Sequence, residues 1–541
     1  MKVFCTGKKS SKGLNMKLHK SVYLGIVCLV LLAAAHISCN ANGDSTMKTD
    51  VLDLSHIRDK LLKDKHRPTY HFVMPEGIAE PFDPNGAIFW NGRYHLFYIF
   101  QPKSADIYDS YWGHVSSADL IHWRYHPTAL APNPGDPDKG IFSGNAFINK
   151  DGQATILYHG VKAGNCIATS SDPNLDIWNK LPSNPIVHQP KKGDPDYGKY
   201  SSWDPHGWLD GDNYYAIFGG KKATLFTSTN LEDWKFMGDF LAHDMPDVEP
   251  FEDLSCPDFF KIGNKYMLLG ISHSIGARYY LGDYRDNQFY PELHERMNWG
   301  GGSCFAPESM IDPKGRRIMW AWAIDSRFKW DNHQEIIENV GWSGTMTMPR
   351  VLSLGENGTL RIQPVEELKT LRSNQKVLKN ITINANSELK LPDFQGDCFE
   401  IKAEMYYGQA NRFGIKIRCS PNGDEETVIS YDNSKKSVII DFAKSSMDTS
   451  ITFENYIFRD EGRQKVTQQE APFDIGANKK ILFHIFSDRS IIEVFVNEQI
   501  CLTQRIYPTR NDSQGIKLFA EGGEVQIPEL NAWKMQPSNP W

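Results

Sequence analysis

Three times along this chain a serine leads, through an Asp or Asn and a Leu, to a tryptophan: Ser117 to Trp123, Ser171 to Trp178, and Ser228 to Trp234. The tryptophans lie about 55 residues apart, the length of one four-stranded propeller blade, so a radial array of small sheets is the architecture this spacing predicts. Between them run short aromatic-rich segments bounded by turns, such as Tyr94-His95-Leu96-Phe97-Tyr98 and Asn213-Tyr214-Tyr215-Ala216-Ile217. These read as strands. Residues 68–363 hold enough chain for five blades, and hardly any stretch has the period of a long amphipathic helix. The expected fold class is all-β.

Beyond the blades, Val365 to Leu371 predicts a linker with one or two helical turns, set within 364–378. From 379 to 541 the alternation returns, as in Phe399-Glu400-Ile401-Lys402-Ala403 and Ser490 to Val496, and predicts a separate β-sandwich. At the other end, Lys8, Lys9, Lys12, Lys17 and Lys20 precede an apolar run from Val22 to Ala35, shorter than the roughly 20 residues that span a bilayer. This is the pattern of a signal peptide over 1–39. Cys39 directly after it resembles the lipobox cysteine of an exported bacterial lipoprotein, with 40–67 as a polar tether to a body at the cell surface or facing the periplasm.

A net charge of -7, with no basic block in the mature part, excludes a nucleic-acid footprint and leaves the predicted lipid anchor as the one membrane contact. No Cys-x-x-Cys spacing predicts a metal site, no cofactor motif is present, and Cys166, Cys256, Cys304, Cys398, Cys419 and Cys501 are too scattered for a disulfide framework. A sugar or another neutral substrate fits this balance better.

Three acidic islands open strands: Asp83-Pro84-Asn85-Gly86, Asp204-Pro205 between Trp203 and Trp208, and the cluster Asp247, Glu249, Glu252, Asp253 and Asp258. Hydrolysing a glycosidic bond needs a group to protonate the leaving oxygen and a carboxylate to attack the cationic carbon. Each island alone has a plainer reading, since Asp-Pro-Asn-Gly is a tight turn, a flanking tryptophan can be core, and most charge clusters are solvated loop faces. Crowded like charges do raise a carboxyl pKa, which suits a general acid.

In order along the chain come Phe82-Asp83-Pro84-Asn85-Gly86, Tyr98-Ile99-Phe100-Gln101-Pro102, Trp112-Gly113-His114 and Asp119-Leu120-Ile121-His122-Trp123. Ile141-Phe142-Ser143-Gly144-Asn145, Trp203-Asp204-Pro205, Ser255-Cys256-Pro257-Asp258-Phe259, Tyr279 to Tyr284, Phe305 to Ser309, and Asp488-Arg489-Ser490 to Phe495 follow. Together they resemble glycoside hydrolase family 32, the β-fructofuranosidases that include invertases, inulinases and levanases. The resemblance implies a five-bladed propeller followed by a β-sandwich, and a retaining double displacement on fructosyl bonds of fructans or fructo-oligosaccharides. It makes Asp83 the nucleophile and Asp204 the transition-state stabiliser. Asn85, Gln101, Trp112, Phe142, Ser143, Trp203, Asp258 and Trp342 become the expected sugar contacts.

Three positions depart from the family pattern. Phe82 stands where Asn precedes the nucleophile, Trp203 where Arg precedes Asp-Pro, and Ser255 where the acid Glu precedes Cys-Pro-Asp. Serine cannot protonate this leaving group at neutral pH, so the acid is expected at Glu252, with Glu249 second. Other readings stay open: a fructosyltransferase, a carbohydrate-binding propeller without its acid, or an inverting five-bladed glycosidase.

Overall fold

At the three Ser-to-Trp repeats the chain makes the same turn. Leu120, Leu175 and Leu231 adopt left-handed φ values of 68°, 58° and 69°, all three are buried, and the indoles of Trp178 and Trp234 each donate 2.8 Å to the carbonyl of their Leu. A left-handed leucine costs roughly 1–2 kcal/mol, which its burial and the indole bond offset. In each case the turn carries the chain from the third strand of a sheet to an outer one: Tyr111–Ser117 to Trp123–Tyr125, Gly164–Ser170 to Asn179–Lys180, and Thr224–Ser228 to Lys235–Asp239. The repeat is the rim of a blade.

The computed structural model describes residues 64–74, 83–101, 109–327, 340, 342 and 344–538. The leader expected over 1–39, the tether of 40–67 up to residue 63, and Phe82 lie outside them. Five antiparallel sheets follow one another along the chain, and their first strands are Pro84–Trp90, Ile141–Ile148, Pro205–Asp210, Ser255–Ile262 and Phe305–Ile311. Each of these strands touches the next, and the last touches the first. That closed ring is a five-bladed propeller. Its closure is reinforced where Val73–Met74, ahead of the first blade, pairs with Gly344–Met346 in the fifth sheet.

A 3₁₀ helix, Glu366–Leu371, buries Leu368 and Leu371 and leads straight into strand Arg372–Ile383. The second domain therefore begins inside the stretch expected as linker, because Arg372 already pairs with Met535. Two six-stranded antiparallel sheets form a sandwich, and alternate residues such as Phe399, Ile401, Ala403 and Met405 fill the space between them. The sandwich locks onto the propeller through buried charges. Asp488 accepts from the backbone N–H of Thr69, Tyr70 and His71, while Glu493 pairs with Arg350 at 2.8 Å.

Candidate active site

Four of the five inner strands carry a register shift near their start, between Asn85 and Ile88, Ile141 and Gly144, Ser255 and Asp258, and Phe305 and Glu308. A bulge bends its strand and re-aims side chains, and here the bulges turn polar groups toward the axis. Asp83 precedes strand Pro84–Trp90 of the first blade, Asp204 precedes Pro205–Asp210 of the third, and Cys256 sits in the bulge of the fourth at φ 47°. That left-handed Cys256 sends its N–H to Asp204 Oδ2 at 3.1 Å and places its thiol 3.6 Å from Asp204 Oδ2 and 3.7 Å from Asp83 Oδ2. Both carboxylates thus touch one sulfur.

The second blade supplies the remaining hold on Asp83. Ser143 Oγ donates to Asp83 Oδ2 at 2.8 Å, and Asn85 donates to the Asp83 carbonyl while accepting from Gly144 N–H. Burial pushes the Asp83 carboxyl up to about 6, aided by the charge of Asp204 and opposed by Ser143, His273 and Cys256. Burial also raises Asp204, against the pull of His159 and His273. A buried carboxylate of raised pKa beside a second one is the electrostatics of a displacement site.

Glu252 is not the third member. Its carboxylate makes a buried ion pair with Arg278 at 2.6 Å, accepts from Glu249 N–H, and lines a separate cavity with Lys222 and Tyr280. Side chains of an extended segment alternate in direction, so Glu252 and Ser255 face opposite ways whereas Asp253 shares the side of Ser255. Arg278 fixes this parity by also donating to the Asp253 carbonyl. Asp253 accordingly faces a cavity of about 720 Å³ with Ser255, Trp203, His159 and His273. It accepts from Ser255 Oγ at 2.8 Å, His273 N–H at 2.9 Å and His273 Nδ1 at 2.6 Å. Trp203, which replaces the expected arginine, donates its indole N–H to Ser255 Oγ at 2.9 Å.

Comparison with known proteins places this geometry. Residues 71–364 match the Glycosyl hydrolases family 32 N-terminal domain and residues 367–534 the Glycosyl hydrolases family 32 C terminal. The chain belongs to glycosyl hydrolase family 32. It is 28% identical to a sucrose-6-phosphate hydrolase of Zymomonas mobilis, over 89% of this chain and 94% of that protein. It is 29% identical to a levanase of Bacillus subtilis, over 86% of this chain and 70% of that protein. Among solved structures, fructan 1-exohydrolase IIa from Cichorium intybus superposes with a TM-score of 0.75 at 25% identity, covering 88% of this chain and 98% of that one.

Within this family 32 member the other expected contacts divide. Phe142 stands against Trp203 and His159, with ring centroids 6.1 and 5.9 Å apart, and belongs to the site wall. Trp112 is fully buried, its indole bonded to the Phe142 carbonyl, so it supports the site from below and contacts no ligand space. Gln101 is fully buried as well. Asp258, also expected as a sugar contact, turns inward at the bulge: it accepts from Ser309 Oγ, and burial raises it to about 6. Trp342 is a correction. It is buried against Val73 and donates 2.9 Å to Asp64, with the guanidinium groups of Arg327 and Arg505 over its ring. Core packing accounts for it.

Sequence reasoning missed His159, Arg278 and Glu308, and left His273 open between a local hydrogen-bond partner and polar surface. Glu308 accepts the Ala87 N–H at 2.9 Å beneath the Asp83 turn, and burial holds its carboxyl well above the usual range, helped by Asp258. Its position after Phe305-Ala306-Pro307 was visible, but the contact across blades was not. Among the described residues the one grouping of metal-ligating atoms is His114, His126 and Asp176. There His126 Nδ1 already donates to Asp176 at 2.7 Å, too close for both to surround an ion without moving.

Proposed function

We propose that the protein is a β-fructofuranosidase that hydrolyses β-fructofuranosyl linkages of fructans or fructo-oligosaccharides by a retaining double displacement. The observation that carries this reading is the meeting of Asp83 and Asp204 on Cys256, at the mouth of a propeller of family 32. Asp83 Oδ attacks the anomeric carbon, which needs its carboxylate form and a fixed direction, and Ser143 supplies the direction. Asp204 stays close enough to stabilise the oxocarbenium-like transition state. Relatives named levanase in Bacillus subtilis and fructan 1-exohydrolase in Triticum urartu support fructans as the substrate class. A panel of sucrose, inulin and levan with product sizing tests it: release of fructose or short fructans is expected from wild type and none from Asp83→Ala. Inertness of wild type on all three sinks the reading, and longer products at high substrate concentration would make it a transferase.

The same reading places the enzyme outside the cytoplasm, tethered by a lipid on Cys39, because a lysine-rich start and a short apolar run precede that cysteine. Growth of an expressing bacterium with labelled palmitate should label wild type and leave Cys39→Ala unlabelled. Equal labelling of both would remove the anchor.

A further inference from the structure

The site lacks a carboxylic acid where family 32 keeps one, and the neighbouring groups divide the work differently. His273 opens the segment between strands Lys265–Ser272 and Gly276–Arg285 of the fourth blade, and 44% of its side chain remains open to the cavity it shares with Trp203 and Ser255. Its Nδ1 is committed to Asp253 at 2.6 Å, and its backbone N–H binds the other oxygen of the same carboxylate. Two bonds to one carboxylate fix the ring. Among the described residues Nε2 carries no hydrogen bond. Asp253 cannot itself serve as the acid: burial acts to raise it, but the bonds and charge of His273 and the Ser255 hydroxyl outweigh burial and hold it ionised.

From this arrangement we infer that His273, oriented by Asp253, is the acid/base of the reaction and replaces the glutamate lost at Ser255. The inference rests on the hydrolase reading above. In the first step the imidazolium Nε2–H gives its proton to the leaving glycosidic oxygen, which keeps the electron pair of the breaking C–O bond, while Asp83 Oδ bonds the anomeric carbon. In the second, neutral Nε2 takes a proton from water as the water oxygen attacks that carbon and the Asp83 ester bond breaks. His273 and Asp83 are both restored. Asp253 keeps its charge throughout and is a positioning residue.

The rings of Trp203 and Phe305 stand beside His273, and charged groups lie around it. Asp253, Asp83 and Asp204 lie near it, Lys162, Lys191 and Lys221 line the cavity, and burial lowers His159 beyond Trp203. Burial works against the imidazolium, but Asp253, Asp204 and Asp83 outweigh it and raise His273 above its usual value. The cycle therefore needs Asp83 ionised and His273 protonated, and activity should rise near pH 6 and fall on the alkaline side of 6.5.

Wild type, H273Q, H273N and D253N are compared on levan or inulin and on an aryl β-fructofuranoside whose leaving group needs no proton. For H273Q and H273N, kcat/KM on the fructan should drop about a hundred- to ten-thousand-fold, the aryl substrate should lose far less at the first step, and the alkaline limb should vanish. Added azide should restore turnover and yield the β-fructosyl azide, which also shows that the variant is folded. D253N should move the alkaline limb to lower pH. Equal loss on both substrates, an unchanged alkaline limb, or no azide product overturns the assignment to His273 while leaving the hydrolase intact. Wild type inert on both substrates overturns the hydrolase reading and the acid with it.

Discussion

Asp83 is a carboxylate that the fold holds against its preference. Its carboxyl is raised from 3.8 to about 6, so an ionised Asp83 at neutral pH costs about 3 kcal/mol of folding stability. Because the folded value is the higher one, the native state binds the extra proton, and stability falls as pH rises from about 4 to about 6. Asp83→Asn should therefore abolish turnover yet be more stable than wild type by about 3 kcal/mol at pH 7.5 and by almost nothing at pH 3.5, measured by urea unfolding. A variant less stable at both values would mean that the carboxylate is not strained. Ser143→Ala removes a bond that favours the charged form, so the acid limb of activity should move to higher pH. Asp83 and Asp204 were legible as single residues because each follows a fixed turn chemistry. The acid was not: Glu252, with Glu249 second, was expected to face the site, but which side each residue of that segment presents depends on its extended parity, and Arg278, which holds Glu252 away, is 26 residues along the chain.

At the level of elements, the blades are built from turns and bulges that sequence shows unevenly. Ser-to-Trp repeats mark the rims of three blades, but the fourth turns through Asp286 and Asn287, both left-handed, between Gly276–Arg285 and Gln288–Arg296. A two-residue turn of this kind needs no tryptophan, so the repeat stops being visible there. The bulges were hidden as well, since an extra unpaired residue leaves no compositional trace. They nevertheless decide the site. Gly144, beside Ser143, leaves only 2.0 Å between a built Cβ and the Leu157 carbonyl, so Gly144→Ala should cost about 3 kcal/mol or more and lower activity by shifting Ser143. Gly152, at φ 73° with nothing within 4 Å, should lose only about 1 kcal/mol as Ala. Thermal melts of the pair check the contrast, and similar losses in both would argue against a close approach at Gly144.

Across the whole molecule, the sandwich is tied to the propeller by buried charge. His71 lies between Asp488 at 3.0 Å and Glu493 at 3.3 Å, and Glu493 also holds Arg350. The Asp488 to Phe495 stretch, recognised in the sequence as a signature of the second domain, is thus the part that grips the first. Burial opposes the Glu493 charge, but Arg350 and His71 outweigh it and lower its pKa. Its contribution is then present above the unfolded value near 4.5 and is lost as pH falls through the lower folded one. Glu493→Gln should cost about 3–5 kcal/mol at pH 7, the loss should shrink in acid, and calorimetry should show both domains weakened together. Two separated transitions with only the sandwich destabilised would contradict that coupling.

The sequence by itself determined the strand content, the blade count, the sandwich and two carboxylates, because turn chemistry, period-two alternation and blade length are local properties. Tertiary structure alone decided which groups meet at the axis. Glu252 was drawn to Arg278, Trp342 into the core, and His273 to Asp253, since closing a ring of five sheets brings together residues that no spacing along the chain relates.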